Sequence, residues 1–237
     1  MLLSIGPGGV YTLAMPRTAR ASAGGVCYHV TNRGNGRAKV FHDADDYAAF
    51  LTLLRQAGER LPMRLVAYCL MPNHFHLVAW PRADGDLSRW MQWLLTSHVR
   101  RHHGRYRSRG HIWQGRFKAF PIQSDDHLLT VIRYVERNPV RAVKLKVRSA
   151  ERWRWSSIAA NPPDDQPALS AGPVPRGRGW LQRVNQDLTA AELEAVRHSI
   201  ARGQPFGSPR WQAQTAVRLG LESSLRPRGR PPKREEI

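Results

Sequence analysis

The chain predicts an α+β fold, a ferredoxin-like split β-α-β sandwich with one antiparallel sheet and helices on one face, followed by a small C-terminal helical extension. Three observations predict it. The elements run strand, helix, strand, strand, helix, strand, with one added helix; two consecutive strand patterns are separated by only two residues, Pro72 and Asn73; and the intervening segments carry apolar residues at helical spacing.

The first strand is read in "GVCYHVTNRG", residues 25–34, a β-branched run closing on a glycine turn. From Asp43, "DADDYAAFLTLLRQAGERL" sets Tyr47, Phe50, Leu51 and Leu54 on one helical face, with acids early and Arg55 and Arg60 late, as the helix dipole favours. "MRLVAYCLM" and "HFHLVAW" are then joined too tightly to be anything but an antiparallel pair. A second helix is expected from about Asp86 to His103, with Leu87, Trp90, Met91 and Leu94 inward. "IWQGRFKAFPI" reads as a strand that Pro121 confines to an edge or an end. The third helix, "SDDHLLTVIRYVERNPV", is expected to start at Ser124 as N-cap, to bury Leu128, Val131, Ile132 and Val135, and to stop before Pro139.

These elements place one domain over residues 25–160. Residues 1–24 read as a disordered leader, with the functional start expected at Met15. Residues 161–180, rich in Pro, Gly and Asp, read as a linker; 181–225 as a small helical extension with a Thr189/Glu192 capping box; and 226–237 as a basic tail. Lys and Arg number 37 against 18 Asp and Glu, a formal charge of +19 that points to a polyanionic partner, most simply nucleic acid. No apolar run of membrane-spanning length is present, so no membrane partner is expected. Cys27 and Cys69, both in strand contexts, read as core thiols rather than a disulfide framework.

The chemistry concentrates in "LMPNHFHLVAW", residues 70–80. On a strand, His74, His76 and Val78 share one face and Phe75 and Leu77 the other, so the two imidazoles can reach a common point, as the first ligands of a metal must. On the third helix Tyr134 and Asn138 are four residues apart and share a face, while Glu136 points nearly the opposite way. If that helix crosses the histidine strand, His74, His76 and Asn138 can hold one divalent ion beside Tyr134. Open positions on such an ion suit a phosphodiester oxygen, and a tyrosine hydroxyl is a suitable nucleophile toward phosphorus. Asn138 has a second reading as the helix C-cap before Pro139.

"MPNHFHLV", with "RYVERNPVRA" about sixty residues on, resembles the HUH single-tyrosine transposases, specifically the REP-associated tyrosine transposases of bacteria. "YHVTNRGNGRAKVF", "WQGRFKAF", "WRWSSI" and the terminal "PRGRPPK" resemble further blocks of that family in the same order. The resemblance implies a metal-dependent endonuclease and strand transferase that cleaves single-stranded DNA at palindromic, REP-like hairpins through a covalent 5′-phosphotyrosine. It implies Mg²⁺ or Mn²⁺ held by His74 and His76, with Asn138 where relatives place a polar third ligand, and Tyr134 as nucleophile. It also implies a bacterial, cytoplasmic, nucleoid-associated protein acting as a monomer or weak dimer. Two competing functions are a protein that binds hairpins without cutting and a zinc hydrolase; the second lacks an evident third ligand or base of the His-Glu-x-x-His kind.

Hairpin single strands are held by cationic tracks and flat side chains. Arg105, Arg107 and Arg109 in the basic stretch after the second helix, Trp113 beside them, Arg116 and Lys118 on the next strand, and Arg141 beyond the third helix are the candidate DNA contacts. Asn32 and Arg33 either read a base edge or satisfy the turn that ends the first strand. "RPRGRPP" in the tail resembles a minor-groove Arg-Gly-Arg-Pro hook, and "TAVRLGLESSLR" admits a helix-turn-helix.

Overall fold

The computed structural model describes residues 22–227, in which a four-stranded antiparallel sheet is covered on both faces. The strands are β1 (Cys27–Arg33), β2 (Arg64–Met71), β3 (His74–Trp80) and β4 (Lys118–Ile122), in the order β2-β3-β1-β4. This is the expected split β-α-β topology. α1 (Ala44–Arg60) joins β1 to β2, and α2 (Asp86–Tyr106) joins β3 to β4. α3 (Asp126–Glu136) and the four-residue α4 (Asn138–Arg141) follow β4, and then come α5 (Trp180–Asn185), α6 (Ala190–Arg202), α7 (Pro209–Leu219) and α8 (Glu222–Leu225) among the described residues.

The pleat sorts the side chains. Tyr28, Val30, Tyr68, Leu70, Phe75 and Leu77 pack against Phe50, Leu51, Leu54, Trp90 and Leu94 of α1 and α2, whose apolar stripes sit at helical spacing. On the other face Cys27, Cys69, Val78, Phe120 and Ile122 meet Leu128, Val131, Ile132 and Val135 of α3. Helices on one face therefore describes α1 and α2 alone. α3 covers the second face because the strands are apolar on both sides, and a sheet with two apolar faces needs two layers.

Several element ends differ from the sequence expectation. α3 is capped by Asp125, whose carboxylate accepts from the His127 amide, one residue beyond Ser124. Residues 112–117 leave the strand pattern, because Trp113 and Phe117 turn into the α1/α2 core before β4 begins. Pro139 does not end the helical path. Arg137 keeps helical angles, and Pro139 opens the next turn, where its missing N–H costs nothing.

The stretch 161–180 is irregular in secondary structure, as expected, yet it is packed. β2 is an edge strand, and Trp155, Ser157 and Ser170 occupy its outer hydrogen-bonding groups: Leu70 N–H donates to Trp155 O, Ser157 N–H to Tyr68 O and Ser170 N–H to Leu65 O. Buried Glu136 ties the segment to α3, accepting from Trp180 Nε1 at 2.8 Å and Ser157 Oγ at 2.9 Å and lying 3.4 Å from Arg176. α6 and the loop after it belong to the same core, since Val196 of α6 and Phe206 are buried with α3. The Thr189/Glu192 capping box forms as expected. α8 is a single turn, too short to lie along a groove as a recognition helix, which removes the helix-turn-helix reading. The leader at residues 1–21 and the tail beyond residue 227 lie outside the described residues.

Candidate functional site

α3 packs across β2 and β3, and this sets Tyr134 over the histidine strand. The rings of His74 and His76 are perpendicular with centroids 5.0 Å apart, and the Tyr134 ring stands edge-on to His76 at 5.6 Å. Asn138, one helical turn beyond Tyr134, lines the same cavity as His74 and acts to raise the His74 pKa against the larger effect of burial. Its backbone φ is not positive, so the residue is no left-handed cap and the C-cap reading falls. All four side chains line one cavity of about 740 Å³.

The histidines are prepared as neutral donors. Burial, with Arg33 adding to it, pushes His74 down to about 4, and burial together with His29, His74 and nearby arginines holds His76 well below its ordinary value. The His74 tautomer can be read from its neighbour. Asn73 donates its Nδ2 to Arg37 O at 3.0 Å, which turns its Oδ1 toward His74 Nδ1 at 2.7 Å. Nδ1 is therefore the protonated nitrogen, and Nε2 keeps the lone pair a ligand needs. His76 Nδ1 is likewise engaged, by Nε2 of the fully buried His29 at 2.9 Å. His29 and Asn73 are residues that reading by candidate function missed. Only strand register signals His29: it lies on the same face as His76, one strand over.

Two neutral imidazoles and an amide oxygen fit a divalent ion that accepts oxygen and nitrogen donors. Among the described residues no group of three His, Cys, Asp or Glu side chains converges on one point, so an all-His/Cys/carboxylate site of zinc-hydrolase type is not formed there.

The remaining candidates divide in two. Asn32, Arg33, Arg116, Lys118 and Arg141 all line the cavity. Asn32 serves its turn: its Nδ2 donates to Gly115 O at 3.1 Å and its Oδ1 accepts from the Arg33 amide at 2.9 Å, pinning the 113–116 loop to β1. Gly34 lets that turn close, since a Cβ there would lie 2.3 Å from Ala38 O. Arg33, exposed and opposite His74 in the ladder, is left facing the cavity. Arg105, Arg107, Arg109 and Trp113 do not line it. α2 runs on to Tyr106, so the basic stretch is partly helical. Arg105 pairs with Asp43 at 2.6 Å and with Asp46 at 3.3 Å, and Arg107 closes the helix with φ of +45°. Arg107 and Arg109 are exposed away from the cavity. Trp113 is buried, with Phe75 and His98 ring centroids each 5.2 Å away, and offers no face to a base.

Among known proteins, residues 22–138, ending on Asn138, match the family described as Transposase IS200 like. A putative REP-associated tyrosine transposase of Haemophilus influenzae is 29% identical over 120 residues, a match that spans 46% of this chain and 66% of the relative. The solved structure of a REP-associated tyrosine transposase bound to a REP hairpin superposes with a TM-score of 0.51 at 18% identity, covering 74% of this chain and 96% of that one. With the sheet order, the placement of Tyr134 over the histidine strand and the matched segment all in agreement, residues 22–138 of the chain belong to the IS200-like transposase family.

Proposed function

We propose that the chain nicks and rejoins single-stranded DNA at hairpin-forming palindromes of the REP type, with Tyr134 as nucleophile. One observation carries the reading: Tyr134 and two neutral histidines share a cavity whose charged lining residues are all cationic. In the proposed reaction Tyr134 Oη attacks phosphorus, its proton passes to water, and the bond from phosphorus to the 3′ oxygen breaks. The 3′ end departs as a hydroxyl, and the 5′ end remains on Tyr134 as a phosphodiester. Attack by a second 3′ hydroxyl on that linkage restores the tyrosine and joins the strands, with no net loss of phosphodiester bonds.

His74, His76 and Asn138 would hold Mg²⁺ or Mn²⁺, which when bound supplies Lewis-acid stabilisation of the charge growing on a phosphate oxygen. The protein's own contribution is to fix the tautomers, keep the ligands neutral and hold the tyrosine in line with the cationic lining.

The test is a labelled single-stranded hairpin incubated with the chain and Mg²⁺ or Mn²⁺, then denatured. A protein band retaining label, mapped to a peptide containing Tyr134 and absent from Tyr134→Phe, is the expected result. Free DNA ends without adduct, or cutting by Tyr134→Phe at the wild-type rate, would refute the mechanism. Tight hairpin binding with no cutting would assign the chain to a non-cleaving binder.

A further inference from the structure

The family match ends at Asn138, yet one wall of the cavity comes from beyond it. Arg197, Ile200 and Ala201 of α6 line the cavity, at the i, i+3, i+4 spacing that turns one helical face toward a neighbour. α6 is firmly seated. Val196 and Ser199 are buried beneath it, its first turn carries the capping box, and Glu192 lies 3.5 Å from Arg133 of α3. Arg197 is thus presented by a fixed element.

In the same cavity, Arg141 covers the Tyr134 ring. Its guanidinium carbon sits 3.7 Å from the centre of the Tyr134 ring, and its Nη2 donates to Tyr134 O at 2.9 Å. Its Nη1 is buried with no acceptor among the described residues, and Arg197, exposed on α6, lines the same cavity. A buried guanidinium with an unspent donor is costly unless an anion completes it. The two arginines feel one another, because Arg197 adds to the burial that lowers the Arg141 pKa. No Asp or Glu lines the cavity to neutralise either.

We propose that Arg197 joins Arg141 in gripping the phosphodiester that Tyr134 attacks, so that α6 is a working wall of the active site. This inference rests on the proposed transesterification and assigns the residue pair that holds its reacting group. Two planar forks match the non-bridging oxygens of one phosphate, and the grip tightens as negative charge gathers on them.

The test uses the full chain carrying Tyr134→Phe, so that DNA is bound but not consumed. A single-stranded hairpin with unpaired flanks is prepared as a set in which each phosphate in turn is replaced by a neutral methylphosphonate. Arg197→Ala should weaken binding of the unmodified hairpin by about tenfold, as expected for one lost charge-assisted contact. The penalty should vanish with one member of the set, the phosphate at which wild-type chain forms its covalent adduct. Arg197→Lys should keep part of the affinity, since it restores the charge without the fork. Arg197 is exposed, and Arg197→Gln with an unchanged melting temperature controls for folding. A penalty equal across the whole set, or one cancelled at a phosphate far from the adduct, would overturn the assignment. Absence of any adduct from wild type, with the Arg197 penalty still confined to one phosphate, would instead count against the transesterification while leaving the phosphate grip standing.

Discussion

His29 Nε2 and His76 Nδ1 meet at 2.9 Å on the buried face of the sheet, with the rings stacked at 4.9 Å between centroids. One proton lies between them, and its owner decides whether His76 can ligate. If His76 carries it on Nδ1, its Nε2 lone pair is free, and His29 must then be protonated on Nδ1, which is buried with no partner among the described residues. The reverse arrangement leaves His76 protonated at Nε2 and unable to bind an ion through it. Ligation therefore selects the tautomer that strands a buried N–H, a cost of about 1–3 kcal/mol.

Replacing His29 should be felt in metal affinity before anything else. His29→Phe keeps an aromatic ring beside Phe120 but removes the acceptor, so Mn²⁺ affinity measured by calorimetry should fall by about 10- to 100-fold, the usual effect of losing a ligand's outer partner. Hairpin binding without metal should be unchanged. Unaltered Mn²⁺ affinity would show that His29 is only core filling.

His74→Ala and His76→Ala should each abolish cutting with Mg²⁺ or Mn²⁺ while keeping most hairpin affinity, because the cationic lining supplies binding. Zinc alone should support little turnover. Loss of binding in step with cutting, or brisk turnover with zinc, would contradict this division of labour.

Trp113→Ala should destabilise the fold rather than weaken DNA contact. The indole fills the core between Phe75, His98, Phe41 and Phe50, and truncating such a ring costs about 3–5 kcal/mol, or roughly 10 °C in melting temperature. Hairpin affinity per folded molecule should hold. A stable variant with weakened binding would return Trp113 to the interface.

What could be read in the sequence followed periodicity. The histidine face of β3, the shared face of Tyr134 and Asn138, and the opposed direction of Glu136 all follow from repeats of 2 and 3.6 within single elements, and the structure agrees with each. What could not be read depends on where separate elements meet. Arg105 looked like a free cation because its acidic partners lie about sixty residues earlier in the chain, at the start of α1. Trp113 looked like a stacking platform because its run of basic neighbours hid a turn into the core. Arg197 carried no signal, since only the packing of α6 on α3, across a stretch read as a linker, brings it to the cavity.

The same hidden pairing makes a prediction about acid. Asp46 is buried at the start of α1. Burial alone would raise its pKa, but the Tyr106 hydroxyl at 2.6 Å, the His42 amide at 2.9 Å and the Arg105 guanidinium together outweigh it and hold the value below the ordinary 3.8. The folded chain thus favours the charged carboxylate more than the unfolded chain does, so unfolding takes up a proton in the acid range. The stability this group contributes is present above pH 3.8 and is lost as pH falls through the lower folded value. Asp46→Asn should lower stability at pH 7 by about 1–3 kcal/mol, the worth of a buried charge-assisted hydrogen bond, and should flatten the decline in melting temperature below pH 4. Tyr106→Phe should act in the same direction with a smaller effect, since it removes one donor and leaves the arginine. Melting curves for wild type and Asp46→Asn between pH 2.5 and 7 would decide it: convergence toward acid is expected, and parallel curves would show that Arg105 and Tyr106 do not hold this carboxylate in solution.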